Sequence, residues 1–297
     1  MSIADRTIPG VLFRANPKAA EVPLVFDSPH SGTDYPEDFD HVCPRRVLRT
    51  AEDTFVHELY AAAPAHGATL IGALFPRSYI DANRNLTDLD QALLAEPWPH
   101  PLRPGVKTKL GMGLIRRLAV PELPVYGRKL GVAEVQARIE RYYEAYHDEL
   151  ASAADRLHAR FGGVWHIDCH SMKSVSNAMA SEGAGVSRAH FVLGDRDGTT
   201  CAPELTDFVL RFLASRGYDV RVNDPYKGVE LVRRHGRPSE NRHSLQIEVN
   251  RKLYMNEDSF DRNANFPKLK SDLDALVAAL ATFARERAGL SKGINAG

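Results

Sequence analysis

Two histidines and a glutamate stand where three apolar runs give way to polar residues. His30 lies in DSPHSG (27–32), His170 in WHIDCHSM (165–172) and Glu248 in SLQIEVN (244–250). Alternation along an extended chain puts Asp168 and His170 on one face. It likewise groups Gln246, Glu248 and Asn250, with Leu245, Ile247 and Val249 on the opposite face. A strand needs none of these polar residues to fold, and a glutamate inside an apolar strand is costly unless it is paired or has chemistry to do. Two imidazoles and a carboxylate at strand ends are the ingredients of a metal-dependent hydrolase. A catalytic zinc takes three protein ligands and keeps one position open for water, and a further carboxylate can move the proton.

The segment AEDTFVHELY (51–60) offers Glu52 and Asp53 as the third ligand, early in an expected helix. Neighbouring helical residues point about 100° apart, so only one of the two can bind, and the helical pattern does not choose between them. Asp168 shares a face with His170 and can orient it. Arginines form a second set. FPRSYIDANRNLTD carries Arg77, Asn83 and Arg84, GLIRR carries Arg116 and Arg117, and VELVRRHGRP carries Arg233, Arg234 and Arg237. Most such charge is solvated surface, but a guanidinium fork is the preferred partner of a carboxylate. Arginines converging on a metal site therefore predict a small acidic substrate. Arg77 and Arg84 lead, because the segment between them is short and apolar. Cys169 beside His170 looks like a nucleophile pair, yet strand neighbours point to opposite faces, so Cys169 reads as a buried small residue. GMGLIR lacks the third glycine of a dinucleotide loop, and there is no GxSxG elbow.

The elements that must position these groups alternate. Strands are expected at 22–27, 68–74, 163–169, 190–194, 218–222 and 244–250, and helices at about 45–65, about 132–160, 203–216 and about 266–287. Ile139, Tyr142, Tyr143, Tyr146 and Leu150 recur at helical spacing and predict the buried stripe of the second helix. Strands separated by helices predict a three-layer α/β/α architecture with a mixed central sheet, whose ligand site lies at the carboxyl ends of strands. Residues 85–125, with six prolines and three of the glycines, break the rhythm as a long excursion within one expected domain spanning 1–297. His41, His57, His66, His100, His147 and His158 are expected on solvated faces.

Composition narrows the function classes. Lys+Arg and Asp+Glu are equal at 38 each in 297 residues, so no global field favours nucleic acid or an anionic membrane. No apolar run is long enough for a signal peptide or a membrane span. The three cysteines are scattered without a CxxC pair, which argues against a disulfide framework or a four-cysteine zinc knot. A reduced cytoplasmic setting is expected.

Taken in order, DSPHSG, ED ahead of FVHELY, PRSYIDANR, IDCHSM, FVLGDRDGTTC, VRRHGRP and SLQIEVNRKLYM resemble the N-formylglutamate amidohydrolases over residues 22 to about 260. The resemblance implies a fold similar to the zinc carboxypeptidases and succinylglutamate desuccinylases. It also implies release of formate from N-formyl-L-glutamate, the last step of one histidine degradation route. By likeness, His30, Asp53 and His170 are metal ligands, with zinc the expected ion. Glu248 is the general base, and Arg77, Asn83, Arg84 and Arg233 are substrate-side residues. In the reaction Arg77 is expected to act catalytically at the oxyanion, and Arg116 is expected to bind substrate as well. One departure is Arg-His-Gly-Arg-Pro after Arg233, where histidine-pathway enzymes tend to place a histidine immediately after the arginine. It bears on which N-acyl acidic amino acid is preferred.

Overall fold

The computed structural model describes residues 4–180 and 182–290. A hairpin opens the chain, β1 (Arg6–Ile8) and β2 (Leu12–Ala15), followed by β3 (Leu24–Ser28). Two short helices, α1 (Arg45–Arg49) and α2 (Val56–Leu59), lead to β4 (Thr69–Ala73). The excursion then contributes α3 (Val106–Lys109) and the small ribbon β5 (Leu118–Val120) and β6 (Leu123–Pro124). Next, α4 (Val132–Arg138) passes through a π turn (Ile139–Glu144) into α5 (Ala145–Phe161). The remainder runs β7 (Val164–Met172), β8 (Phe191–Gly194), α6 (Pro203–Ser215), β9 (Val220–Val222), α7 (Glu230–His235), β10 (Arg242–Asn250) and α8 (Phe266–Arg287).

Among the described residues, eight strands form one mixed sheet in the order β1-β2-β4-β3-β7-β10-β8-β9. Its centre, β4-β3-β7-β10, is parallel, while β2 joins β4 and β8 joins β10 antiparallel. Two cores cover the two faces. One packs Trp165, Ile167, Leu245 and Ile247 against α6 and α8; the other packs Val25 and Ile71 against the tyrosine stripe of α4–α5, including Tyr142, Tyr143 and Tyr146. This is the three-layer α/β arrangement expected from the alternation of elements. No helix among the described residues is long and apolar enough to cross a membrane.

The structure corrects several local expectations. The helix expected at 45–65 is broken: α1 and α2 are short pieces joined by an irregular link that holds Glu52 and Asp53. That link begins as a cap hydrogen-bonded to α1 and ends at Phe55, whose φ of 67° a continuous helix does not admit. The N-terminal hairpin and α7 were not expected, being shorter than the periodicity needed to see them. The excursion is packed rather than loose, burying Leu89, Leu93, Leu114, Ile115 and Val125. His147 is buried, not solvated, and lies 2.9 Å from the Ala82 carbonyl through Nε2.

Candidate active site

The carboxyl ends of β3, β7 and β10 lie side by side. Register pairs Asp27 with Asp168 across β3 and β7, and Glu248 with His170 across β10 and β7. His30 follows β3 by one tight turn, and its carbonyl accepts from the Asp53 amide at 2.9 Å, which ties the link between α1 and α2 to the strand end. Gly32 allows that turn. A Cβ there would lie 2.2 Å from the Phe75 carbonyl oxygen, so only glycine lets the two backbones approach.

Three buried side chains converge. His30 Nδ1 is 3.1 Å from His170 Nδ1 and 3.5 Å from Asp53 Oδ2, and His170 Nδ1 is 3.0 Å from the same oxygen. Ligands about 2.0–2.1 Å from a tetrahedral zinc lie about 3.3–3.4 Å from each other, so this triangle has the size to enclose one small cation. The groups behind it aim the lone pairs inward. His30 Nε2 is 2.7 Å from Asp81 Oδ1, and His170 Nε2 makes a 2.7 Å ion-pair contact with Asp168 Oδ1. Asp81 behind the His30 ring holds a proton on Nε2 and frees Nδ1 to face the site, and Asp168 places a second carboxylate at ion-pair distance behind the His170 ring. Asp53 is divided in the same way. Its Oδ1 accepts from Arg251 at 3.1 Å and Ser171 at 3.2 Å, which leaves Oδ2 for the triangle. Burial works against every charge here. Asp81 is nonetheless held well below the usual carboxylate range by Arg77 and His30.

Glu52 turns the other way, accepting from the Tyr35 hydroxyl at 2.6 Å. Of the two neighbours in the 51–60 segment, Asp53 is the one that reaches the histidines.

Glu248 sits beside His170, with Oε1 accepting from Gln246 Nε2 at 3.1 Å. Burial, together with the nearby Asp53 and Asp168 charges, outweighs the pull of His170 and Arg77 and pushes its carboxyl up to about 7. That is where a carboxylate exchanges protons most readily at neutral pH.

These groups open onto a pocket of about 540 Å³ lined by His30, His170, Glu248, Arg77, Arg84 and Arg116, among others. Arg77 donates to Asp81 Oδ2 from Nε at 3.2 Å and Nη2 at 2.7 Å. Arg84 is anchored on the carbonyls of Met112 and Asn83. Arg116 differs from both. It is 7% exposed, its Nε is buried without a partner, and no carboxylate lies within ion-pair distance among the described residues. Burial, followed by repulsion from Arg77 and Arg84, pushes its pKa down to about 9, still charged at neutral pH. A buried guanidinium without a counterion is a receptor for an anion.

Asn83 lines the pocket, and its amide is held at the oxygen end. Oδ1 accepts from the Leu231 amide at 2.9 Å and Nδ2 lies 3.1 Å from His170 Nε2. Arg233 is not brought to the site. It is half exposed on α7, forked onto Glu230 three residues earlier, and absent from the pocket wall. Cys169 faces the opposite core from His170, and burial pushes its thiol well above the usual range, which removes the nucleophile-pair reading. Ser244, His166 and Asp27 also stand in a line, at 2.7 and 2.9 Å, but all three are sealed in the interior, so they brace the sheet.

Sequence reasoning missed Asp81 and Arg251. IDANR and VNRKL print both next to residues already singled out, but nothing in the chain order says that Asp81 reaches His30 or that Arg251 reaches Asp53.

Comparisons with known proteins fit this geometry. The family model for N-formylglutamate amidohydrolase matches residues 22–255. N-formylglutamate deformylase of Pseudomonas aeruginosa is 27% identical over 278 residues, 91% of this chain and 97% of that one. The enzyme of the same name from Pseudomonas putida is 27% identical over 240 residues, 80% of this chain and 83% of that one. The crystal structure of N-formylglutamate amidohydrolase from Ralstonia eutropha JMP134 is 49% identical, with a TM-score of 0.90 over 94% of this chain and 99% of that one. A gene product of Agrobacterium tumefaciens, 18% identical with a TM-score of 0.60 over 95% of each chain, shares the fold. With the matched span running from before β3 to beyond β10, and so taking in every group that lines the site, the chain belongs to the N-formylglutamate amidohydrolase family.

Proposed function

We propose that this protein hydrolyses the amide bond of an N-formyl acidic amino acid, N-formyl-L-glutamate plus water giving L-glutamate plus formate. In this reading His30 Nδ1, His170 Nδ1 and Asp53 Oδ2 hold a divalent cation. Zinc suits two nitrogens and one carboxylate oxygen best. A cation bound there supplies Lewis acidity toward water and the formyl oxygen.

The chain's own residues do the rest. Glu248 takes the proton of the attacking water as oxygen bonds to the formyl carbon, then delivers it to the amine nitrogen as the C–N bond breaks. Arg77, braced by Asp81, faces the charge that develops on the carbonyl oxygen. Arg116 and Arg84 receive substrate carboxylates and fix the scissile bond against Glu248. Asn83 packs beside the His170 ring, and Arg233 has no part. The observation that carries the reading is the juxtaposition of the His30–Asp53–His170 triangle and Glu248 with the uncompensated guanidinium of Arg116, in a pocket suited to a small dicarboxylate.

The test is elemental analysis of the purified protein followed by a formate-release screen over N-formyl-L-glutamate, N-formyl-L-aspartate and N-acetyl-L-glutamate. Release from N-formyl-L-glutamate that chelation abolishes and a divalent cation restores is expected. Activity indifferent to chelation would overturn the metal role. No turnover of any of the three by metal-replete protein would leave a non-catalytic binder of acidic metabolites.

A further inference from the structure

A second cavity, of about 700 Å³, lies behind the active site. The two cavities share no lining residue, and the chain alternates between them. His30 lines the active-site pocket and Ser31 the second cavity; Thr50 and Ala51 line the first, Glu52 and Thr54 the second. The link that presents Asp53 is therefore the partition. Ser31 Oγ donates to the Asp53 carbonyl at 3.0 Å across it.

The second cavity carries three arginines against two glutamates, Glu52 and Glu58, and Glu58 is paired with Arg262. Arg45, Arg46 and Arg49 stand at its rim. Arg45 holds only the Thr33 carbonyl and stacks 4.2 Å over Tyr35, and Arg46 holds only the Asp258 carbonyl, so neither has a carboxylate partner among the described residues. Arg49 reaches Glu52 at a long 3.4 Å. On the floor, the Thr54 hydroxyl is 4% exposed at the residue level, and its oxygen is buried with no hydrogen-bond partner. A buried hydroxyl left without a partner is costly, and Thr54 is one of the residues that line the cavity. Phe55 and Phe260 contribute apolar surface, with Arg49 stacked 4.6 Å over the Phe260 ring and Arg262 4.9 Å over the Phe55 ring, and both hold positive φ, 67° and 61°, a conformation unfavourable for bulky residues.

We propose that this cavity is a binding site for a small oxyanion carried on an apolar body. Its oxygens would take the arginine forks and the Thr54 hydroxyl, and its body would lie between the phenylalanines. Because residues 52–54 separate it from the triangle, occupancy is coupled to the position of Asp53.

Isothermal titration of the full chain with benzoate and, separately, inorganic phosphate tests this without depending on the catalytic reading. In an Arg116→Met background, which removes the unpaired guanidinium of the main pocket, one equivalent of at least one anion should bind. Benzoate alone binding identifies a carboxylate site, and phosphate alone a phosphate site. Arg46→Ala/Arg49→Ala should weaken that event at least about tenfold, and Thr54→Val, which removes only the hydroxyl, roughly threefold to tenfold. Neither anion binding, or binding indifferent to all three substitutions, overturns the site. With Arg116 intact, saturating anion should change kcat/KM for formate release at least about twofold, and should not do so in the Arg46→Ala/Arg49→Ala chain. Equal responses in both overturn the coupling.

Discussion

Arg116→Met separates function from stability. In the free protein this guanidinium is buried with no counterion, and burial and two neighbouring arginines displace its pKa from 12.5 to about 9. At 1.36 kcal/mol per unit that displacement is worth roughly 5 kcal/mol. Relaxation and entry of water reduce the penalty a real protein feels, so we expect ~1–2 kcal/mol of it in the folding free energy. A methionine of similar length fills the space without charge. The variant should therefore unfold at a higher denaturant concentration than the wild type.

The same change removes the receptor for a substrate carboxylate. Two charge-assisted hydrogen bonds from one fork contribute about 3–4 kcal/mol together, so kcat/KM for formate release should fall roughly 10²–10³-fold. Most of the loss should lie in KM, because the carboxylate is held alike in ground and transition states. Urea unfolding monitored by circular dichroism and steady-state formate release on the same preparations provide both numbers. A less stable variant would mean that the guanidinium is satisfied in the free protein. A stable variant with near-normal kcat/KM would mean that no carboxylate docks there. Either result refutes the argument.

Glu248→Gln keeps the side-chain volume and its contact with Gln246 but cannot take a proton. Turnover should drop roughly 10²–10⁴-fold with metal content unchanged by elemental analysis, and near-normal turnover would end its role. Arg251→Met leaves Asp53 Oδ1 with Ser171 alone, so metal affinity by competitive chelator titration should weaken roughly 10–100-fold; an unchanged affinity would show that Asp53 needs no such support. Acid should destabilise the fold through two buried histidines. Burial, then Arg234, lowers His147 to about 4, and burial lowers His243 to about 4, from 6.5. Both folded values lie below the unfolded one, so their contribution is fully present above pH 6.5 and is lost as pH falls toward 4. Between pH 7.5 and pH 5 the loss should be about 1–2 kcal/mol for each. His147→Gln should flatten that dependence in urea titrations, and an unaltered slope would contradict it.

Much of the architecture could be read along the chain because it is written in local periods. Alternation in WHIDCHSM and SLQIEVN decided which residues share a face, and β7 and β10 carry them so, with His166, Asp168 and His170 opposite Trp165, Ile167 and Cys169. The tyrosine stripe of α4–α5 followed from helical spacing in the same way. Expectation failed where elements are shorter than one period. The 45–65 segment supports two helical fragments rather than one helix, because Asp53 must leave helical geometry to meet His30.

The sequence alone determined which residue types were available for chemistry, and which of them stand at strand ends, since both depend on composition and short-range pattern. Only the tertiary structure decided which ones meet. It turned Asp53 toward the histidines and Glu52 away from them, enlisted Asp81 and Arg251 as braces, left Arg116 without a counterion and kept Arg233 on the surface. These outcomes depend on strand order and on side chains far apart in the chain. Hydrogen bonding and charge act over a few ångströms of space, and separation along the sequence carries no record of that distance.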